Sequence, residues 1–167
     1  MGAPSAFAVL DRGEHHLFGT WHNVFVTVWR GRATLEVMKR VGGFQRQLDK
    51  RFAGGYCALA ILDMASLRMD AEMRAEATRL TDSPGPNLKA IAQVIQGSGL
   101  GAATTRMVAS GLMLMRKSKT PSKLFDDPAS AARWLMPHIR ADAQEGPATP
   151  DALVAAVEAA WALKPLS

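Results

Sequence analysis

The sequence predicts an α/β fold built on a parallel sheet, and three observations carry that expectation. Short apolar runs at residues 56–63, 88–96 and 122–125 divide the second half of the chain. Each is followed by a stretch of helical character that opens at Asp70, near Gly101 or at Asp127, residues suited to a helix N-terminus or the turn before it. The first two runs are rich in Ile, Val, Leu and Ala without polar alternation, as strands buried on both faces are. Strand–helix–strand order at this spacing makes such strands parallel neighbours.

The elements follow in order. The first thirty residues read as antiparallel β: an apolar segment at 6–10, a turn at Asp11-Arg12-Gly13, a strand over 14–21, a turn at His22-Asn23 and a strand over 24–29. In the last of these Val24, Val26 and Val28 alternate with Phe25, Thr27 and Trp29, the period of a strand. Thr34 is placed to cap a helix with Leu35, Met38, Val41, Leu48 and Phe52 on one stripe. Gly42-Gly43 in its middle costs about 1 kcal/mol per glycine relative to Ala, so close packing or a kink is expected there. Gly54-Gly55 ends the helix and lets the chain enter the central strand at Tyr56.

The helix from Asp70 turns Met73, Ala77 and Leu80 inward and ends in the loop at 82–87. The next, from Gly101, is lined by Ala102, Ala103, Ala109, Ser110 and Gly111 with Met107, Leu112 and Met115, small residues that let a helix lie close on a sheet. Asp127-Pro128 opens a fourth helix that buries Ala132 and Leu135. Residues 5–140 thus form one α/β domain, 141–150 a linker, and 151–164 a C-terminal amphipathic helical extension with Leu153, Val157, Ala160 and Trp161 on one face. That face is expected to dock on the domain, because an apolar stripe left in water is unfavourable.

Composition narrows the class. At 167 residues the chain can bury a core without staples, and 48% hydrophobic with 21% charged residues is ordinary for a soluble globular protein. One cysteine, Cys57, excludes an internal disulfide and suits a reducing, cytoplasmic setting. Residues 1–9 carry no positive side chain, so no secretory signal is expected, and the apolar stretch at 102–115 is broken by Arg106 and too short to span a bilayer. The net charge of +5 is uneven: Lys89, Arg106, Arg116, Lys117, Lys119 and Lys123 lie in an interval without any acidic residue. A solvated basic edge explains it better than nucleic acid, since no aromatic lies between Tyr56 and Phe125 to stack on bases.

No catalytic or metal signature stands out. His15 and His16 are adjacent on a strand and point to opposite sides, and no His or Cys pair has metal-ligand spacing, so neither a metal nor a cofactor is expected. Cys57 sits in a buried run without a base beside it, as an inert core thiol would. Gly97-Ser98-Gly99-Leu100-Gly101, between a strand and a helix, has the glycines that admit an anion to a helix N-terminus, with Arg106 near enough to fold back on it. Neither the P-loop nor the dinucleotide pattern is complete there, and a tight strand-to-helix connection explains the glycines equally. Asp63 and Asp70 flank the carboxyl end of the first buried strand, where parallel sheets place their sites, although turn and capping chemistry also account for them.

The order of elements resembles the STAS domain, the fold of bacterial anti-sigma-factor antagonists. The likeness rests on Leu62-Asp63 followed by Asp70 and on the closing segment Phe-Asp-Asp-Pro-Ala-Ser-Ala-Ala-Arg-Trp-Leu, and it covers about residues 7–136. It implies a non-enzymatic, regulatory protein-interaction module that docks through the loop containing Asp63, Ser66, Asp70 and Ala71. Family members are switched by phosphorylation of a serine directly after the aspartate that opens the helix. Here Ala71 follows Asp70, so no such switch is expected. The alternative is a binder of a small anionic or amphipathic ligand at Gly97, Ser98, Gly99 and Gly101 with Arg106. Phe18, Trp21, Phe25 and Trp29 crowd a sheet that cannot hide all four if only one side packs on helices, which points to a homodimer burying part of this surface, or else to the C-terminal helix covering it, with an unknown protein partner besides.

Overall fold

A computed structural model describes residues 7–114, 118–142 and 144–163. Among these, six strands form one mixed sheet in sequence order: β1 (Ala8–Arg12), β2 (His16–Trp21), β3 (Val24–Trp29), β4 (Tyr56–Leu62), β5 (Leu88–Ile95) and β6 (Ser122–Phe125). The β1–β2 and β2–β3 pairs are antiparallel, and β3–β4, β4–β5 and β5–β6 are parallel. The protein is an α/β domain whose central strands β4 and β5 are the two apolar runs identified in the sequence. Asp11 and Arg12 belong to β1 rather than to the turn after it. A bulge between Val9 and Asp11 lets β1 continue two residues further along β2.

Among the described residues five α-helices accompany the sheet: α1 (Leu35–Arg51), α2 (Ala71–Asp82), α3 (Leu100–Leu114), α4 (Pro128–Leu135) and α5 (Pro150–Ala162). Four are capped by a side chain that accepts a backbone N–H: Thr34 from Val37 (3.3 Å), Asp70 from Met73 (2.9 Å), Asp127 from Ser130 (2.7 Å) and Thr149 from Ala152 (3.2 Å). The last cap, followed by Pro150, starts α5 one residue before the expected position. Gly42 sits where α1 crosses α2. A Cβ there would lie 3.1 Å from both Arg79 Nη2 and Leu80 Cδ2, so the glycine serves close packing and α1 runs on unbroken. Gly55, at φ +109, makes the turn from α1 into β4.

Both faces of the sheet are covered. On one, α1 and α2 pack Met38, Val41, Leu48, Met73 and Leu80 over Phe18, Phe25, Trp29 and Tyr56. On the other, α4 and α5 pack Ala131, Ala132, Leu135, Leu153, Val157 and Ala160 over Trp21, the valines of β3 and the odd-numbered side of β4. Phe18, Trp21, Phe25 and Trp29 are therefore all buried within one chain. Of the two expectations for these aromatics, coverage by the C-terminal helix is the one observed, with α4 beside it on the second face. The premise for a homodimer through the β-rich start is thereby removed.

The helix α3 departs from expectation as well. Ala102 is buried, but Ala103 is exposed and Met107 is 76% exposed, so the first two turns of the helix lie less closely on the sheet than their small residues predict. Met115, Arg116 and Lys117 lie outside the described residues. No helix among the described residues is long and apolar enough to cross a membrane.

Candidate functional site

At the carboxyl end of β4 the polar residues of the loop are engaged with the backbone. Asp63 accepts the Gly31 N–H at 2.9 Å through Oδ2 and the Ser66 N–H at 2.8 Å through Oδ1. Ser66 is 1% exposed, and its hydroxyl donates to the Asp63 carbonyl at 2.7 Å. Asp70 caps α2, and Ala71 is an exposed residue of that helix's first turn. The arrangement is a closed loop that ties the β3–α1 connection to the β4–α2 connection.

The glycine turn at the end of β5 is held differently. Gly97 packs beneath Met64 and Ala102, where a Cβ would meet their side chains at 3.2 and 3.3 Å. Ser98, Gly99 and Gly101 are exposed, and a Cβ on either glycine would meet nothing within 4 Å. Arg106 does fold back to the turn, but its Nη1 donates to the carbonyls of Ile95 (3.1 Å) and Gly97 (3.3 Å). The guanidinium thus secures the strand end, and the turn makes an open rim rather than a cradle. Lys119 is exposed.

A third location carries no sequence motif. Between the sheet and the α1–α2 pair lies a cavity of about 130 Å³. Its floor follows from strand register: Thr27 of β3, Ala60 of β4 and Gln93 of β5 stand in one row, beside a second row of Phe25, Ala58 and Ile91. The two alanines leave a depression between larger neighbours. Gln45 on α1 and Ala77, Leu80 and Thr81 on α2 face it from above. The recess is partly open to solvent. The signal in the sequence was slight: Thr27 and Gln93 are polar residues in the middle of otherwise apolar strands.

At the opposite end of the strands a wider depression of about 590 Å³ surrounds the His22-Asn23 turn. Several of its polar groups hold the chain together, while His22 Nε2 is buried there without a hydrogen-bond partner among the described residues. Asn23 Nδ2 donates to the carbonyls of Gly55 and His138, and its Oδ1 accepts the Arg140 N–H. His22 Nδ1 accepts the Asp142 N–H at 2.9 Å, and Glu145 accepts the His22 N–H at 2.6 Å. This is a clamp for the segment between α4 and α5.

Electrostatics leave little nucleophilic potential. Desolvation in the core pushes the Cys57 thiol up to about 12, which keeps it protonated at neutral pH. Burial, with the charge of Asp49 in second place, raises the Tyr56 phenol. Among the described residues no group of three His, Cys, Asp or Glu has the geometry to hold a metal ion. No family model, no curated protein and no solved structure matches this chain.

Proposed function

We propose that the chain is a non-enzymatic, regulatory binding module of STAS-like type whose input is a small molecule held between the sheet and the α1–α2 pair. The recess of about 130 Å³ over Ala58 and Ala60, partly open to solvent, carries this reading, since a concave, mostly apolar site is where a small ligand gains contacts. Support for a non-enzymatic role comes from the polar side chains nominated in the sequence: Asp63, Ser66 and Asp70 all serve the backbone. Cys57 as a buried, protonated thiol suits a reducing, cytoplasmic setting.

Thermal denaturation against a panel of small amphipathic compounds, with inorganic phosphate and ATP as separate arms, tests the reading. A ligand at a hundred times its dissociation constant stabilises by about 2.7 kcal/mol, a shift of roughly 5–10 °C for a domain of this size. Stabilisation by phosphate or ATP alone, lost in Arg106→Ala, would return the ligand to the Gly97–Gly101 turn.

A protein-interaction output is favoured by one observation. Leu100 and Met107, seven positions apart and so on one side of α3, are 86% and 76% exposed. With the four aromatics of β2 and β3 buried, a homodimer would bury this helix face. Light scattering is expected to show a dimer that becomes monomeric in the Leu100→Ser/Met107→Ser variant; a wild-type monomer removes self-association from the reading.

A further inference from the structure

The chemistry of the cavity wall narrows what it can hold. No Lys, Arg, His, Asp or Glu lines it. Its wall is apolar except for five neutral polar residues, and two of these are engaged. Ser66 bonds to Asp63, and the Thr81 hydroxyl donates to the carbonyls of Ala77 and Thr78. The other three, Thr27, Gln45 and Gln93, make no side-chain hydrogen bond among the described residues, and none of their polar atoms is cut off from solvent. Thr27 is only 7% exposed. Its hydroxyl is not sealed in: it opens onto the recess, where a solvent or ligand atom can bond to it. That hydroxyl and two free amides line one recess that is partly open to solvent.

Placement makes the convergence usable. Parallel neighbours lie about 4.8 Å apart, so the backbones of Thr27 and Gln93, two strands apart with Ala60 between them, are separated by roughly 10 Å. The short Thr27 side chain and the longer Gln93 amide both reach toward the space above the Ala60 methyl. A residue larger than Ala at position 60 would occupy that space itself. Charge is unwelcome there, because an ion would lose its water and find no counter-ion. A wholly apolar molecule would fill the void and leave the three polar groups unpaired.

Resting on the binding reading above, we propose that the ligand is an uncharged molecule with a hydroxyl or amide head, its head bonded to Thr27 and Gln93 over Ala60 and its apolar part against Ala58 and the α1–α2 side chains. Size follows from volume: a cavity of about 150 Å³ accommodates one benzene ring, so the 130 Å³ here suits one ring or a chain of similar bulk.

Four probes that share a ring and differ only in head group test this on the full chain by NMR titration: benzyl alcohol, toluene, benzoate and benzylamine. Benzyl alcohol is expected to bind best, toluene several-fold more weakly, and the two charged probes at least ten-fold more weakly. Thr27→Val and Gln93→Leu each reduce benzyl alcohol affinity about three- to ten-fold and leave toluene unchanged or tighter. Ala60→Leu, with Ala58→Val as a second filling variant and circular dichroism to confirm folding, abolishes binding of all four. Benzoate or benzylamine binding as tightly as benzyl alcohol overturns the proposal. So does an alcohol-to-toluene ratio that Thr27→Val and Gln93→Leu do not change, while the cavity reading survives if the filling variants still abolish binding. Binding that persists in folded filling variants overturns the cavity reading itself.

Discussion

Asp63 and Gly31 lie thirty-two positions apart in the chain, and the Asp63 carboxylate accepts the Gly31 N–H at 2.9 Å. Its other oxygen accepts the Ser66 N–H. One side chain therefore satisfies two backbone donors from two connections, at the end of the sheet where parallel folds place ligands. Both donors lose their partner when the carboxylate is removed.

Asp63→Ala is accordingly expected to destabilise the protein by about 1–3 kcal/mol, the cost of leaving partly buried N–H groups unpaired. Asp63→Asn keeps one acceptor oxygen and loses less. Urea denaturation of the three proteins measures this. A loss of ligand or partner binding in Asp63→Ala at unchanged stability would restore Asp63 to a recognition role.

Ser66 is the one hydroxyl in that loop, and it is inaccessible in the folded chain. Its Oγ donates inward to the Asp63 carbonyl, so a kinase reaches it only when the loop opens. Incubation with broad-specificity kinases followed by mass spectrometry should find less than stoichiometric phosphate at Ser66 in the native protein. Ser66→Asp, which forces a charge into this buried position, is expected to lower the melting temperature. Stoichiometric phosphate on a protein that keeps its native melting temperature contradicts the closed loop.

These two residues show how much of the molecule the sequence discloses. The Asp63–Ser66 contact spans three positions and is legible as turn chemistry, as are the caps at Thr34, Asp70 and Asp127. The Gly31 contact is not, because it depends on β3 and β4 lying side by side. Runs such as Tyr56–Leu62 disclose central strands because composition alone marks burial on both faces. Which helices cover which face is a further step. The crossovers from β3 to β4 and from β4 to β5 place α1 and α2 on one face, and the other is left to α4 and α5. That arrangement hides Trp21. The cavity is the least legible feature, since it arises only once Thr27, Ala60 and Gln93 come into register.

Removing α5 tests the coverage of the second face. Leu153, Val157 and Ala160 share a buried cluster with Leu17, Trp21 and Val24, and Arg12 of β1 donates to the Leu163 carbonyl just beyond the helix. A chain ending at Arg140 also loses the Asp142 and Glu145 contacts to His22. Each large apolar side chain returned to water costs about 1.5–3 kcal/mol, so uncovering several exceeds the usual stability of a domain. The truncated chain should aggregate in light scattering and lose cooperative unfolding by circular dichroism. A monomeric, cooperatively folding 1–140 chain would make α5 an appendage rather than part of the core.

Acid sensitivity provides a final check on local structure. Asp127 accepts the Ser130 N–H at 2.7 Å at the start of α4. Hydrogen bonds from the Ser130 side chain, then its backbone, hold the Asp127 carboxyl below the usual carboxylate range. A carboxyl whose folded value is lowered favours the folded state above its unfolded value, near 3.9, and that contribution is lost as pH falls through the lower folded value. The cap as a whole contributes about 1 kcal/mol. Wild type should therefore exceed Asp127→Ala in stability by about that amount at pH 6–7, with the gap narrowing as pH falls from about 4 toward 2. Asp127→Asn, which retains a capping oxygen without the charge, should show a smaller deficit that changes less with pH. Urea denaturation of the three proteins across this range measures the gap, and a wild-type advantage that grows in acid would contradict the cap.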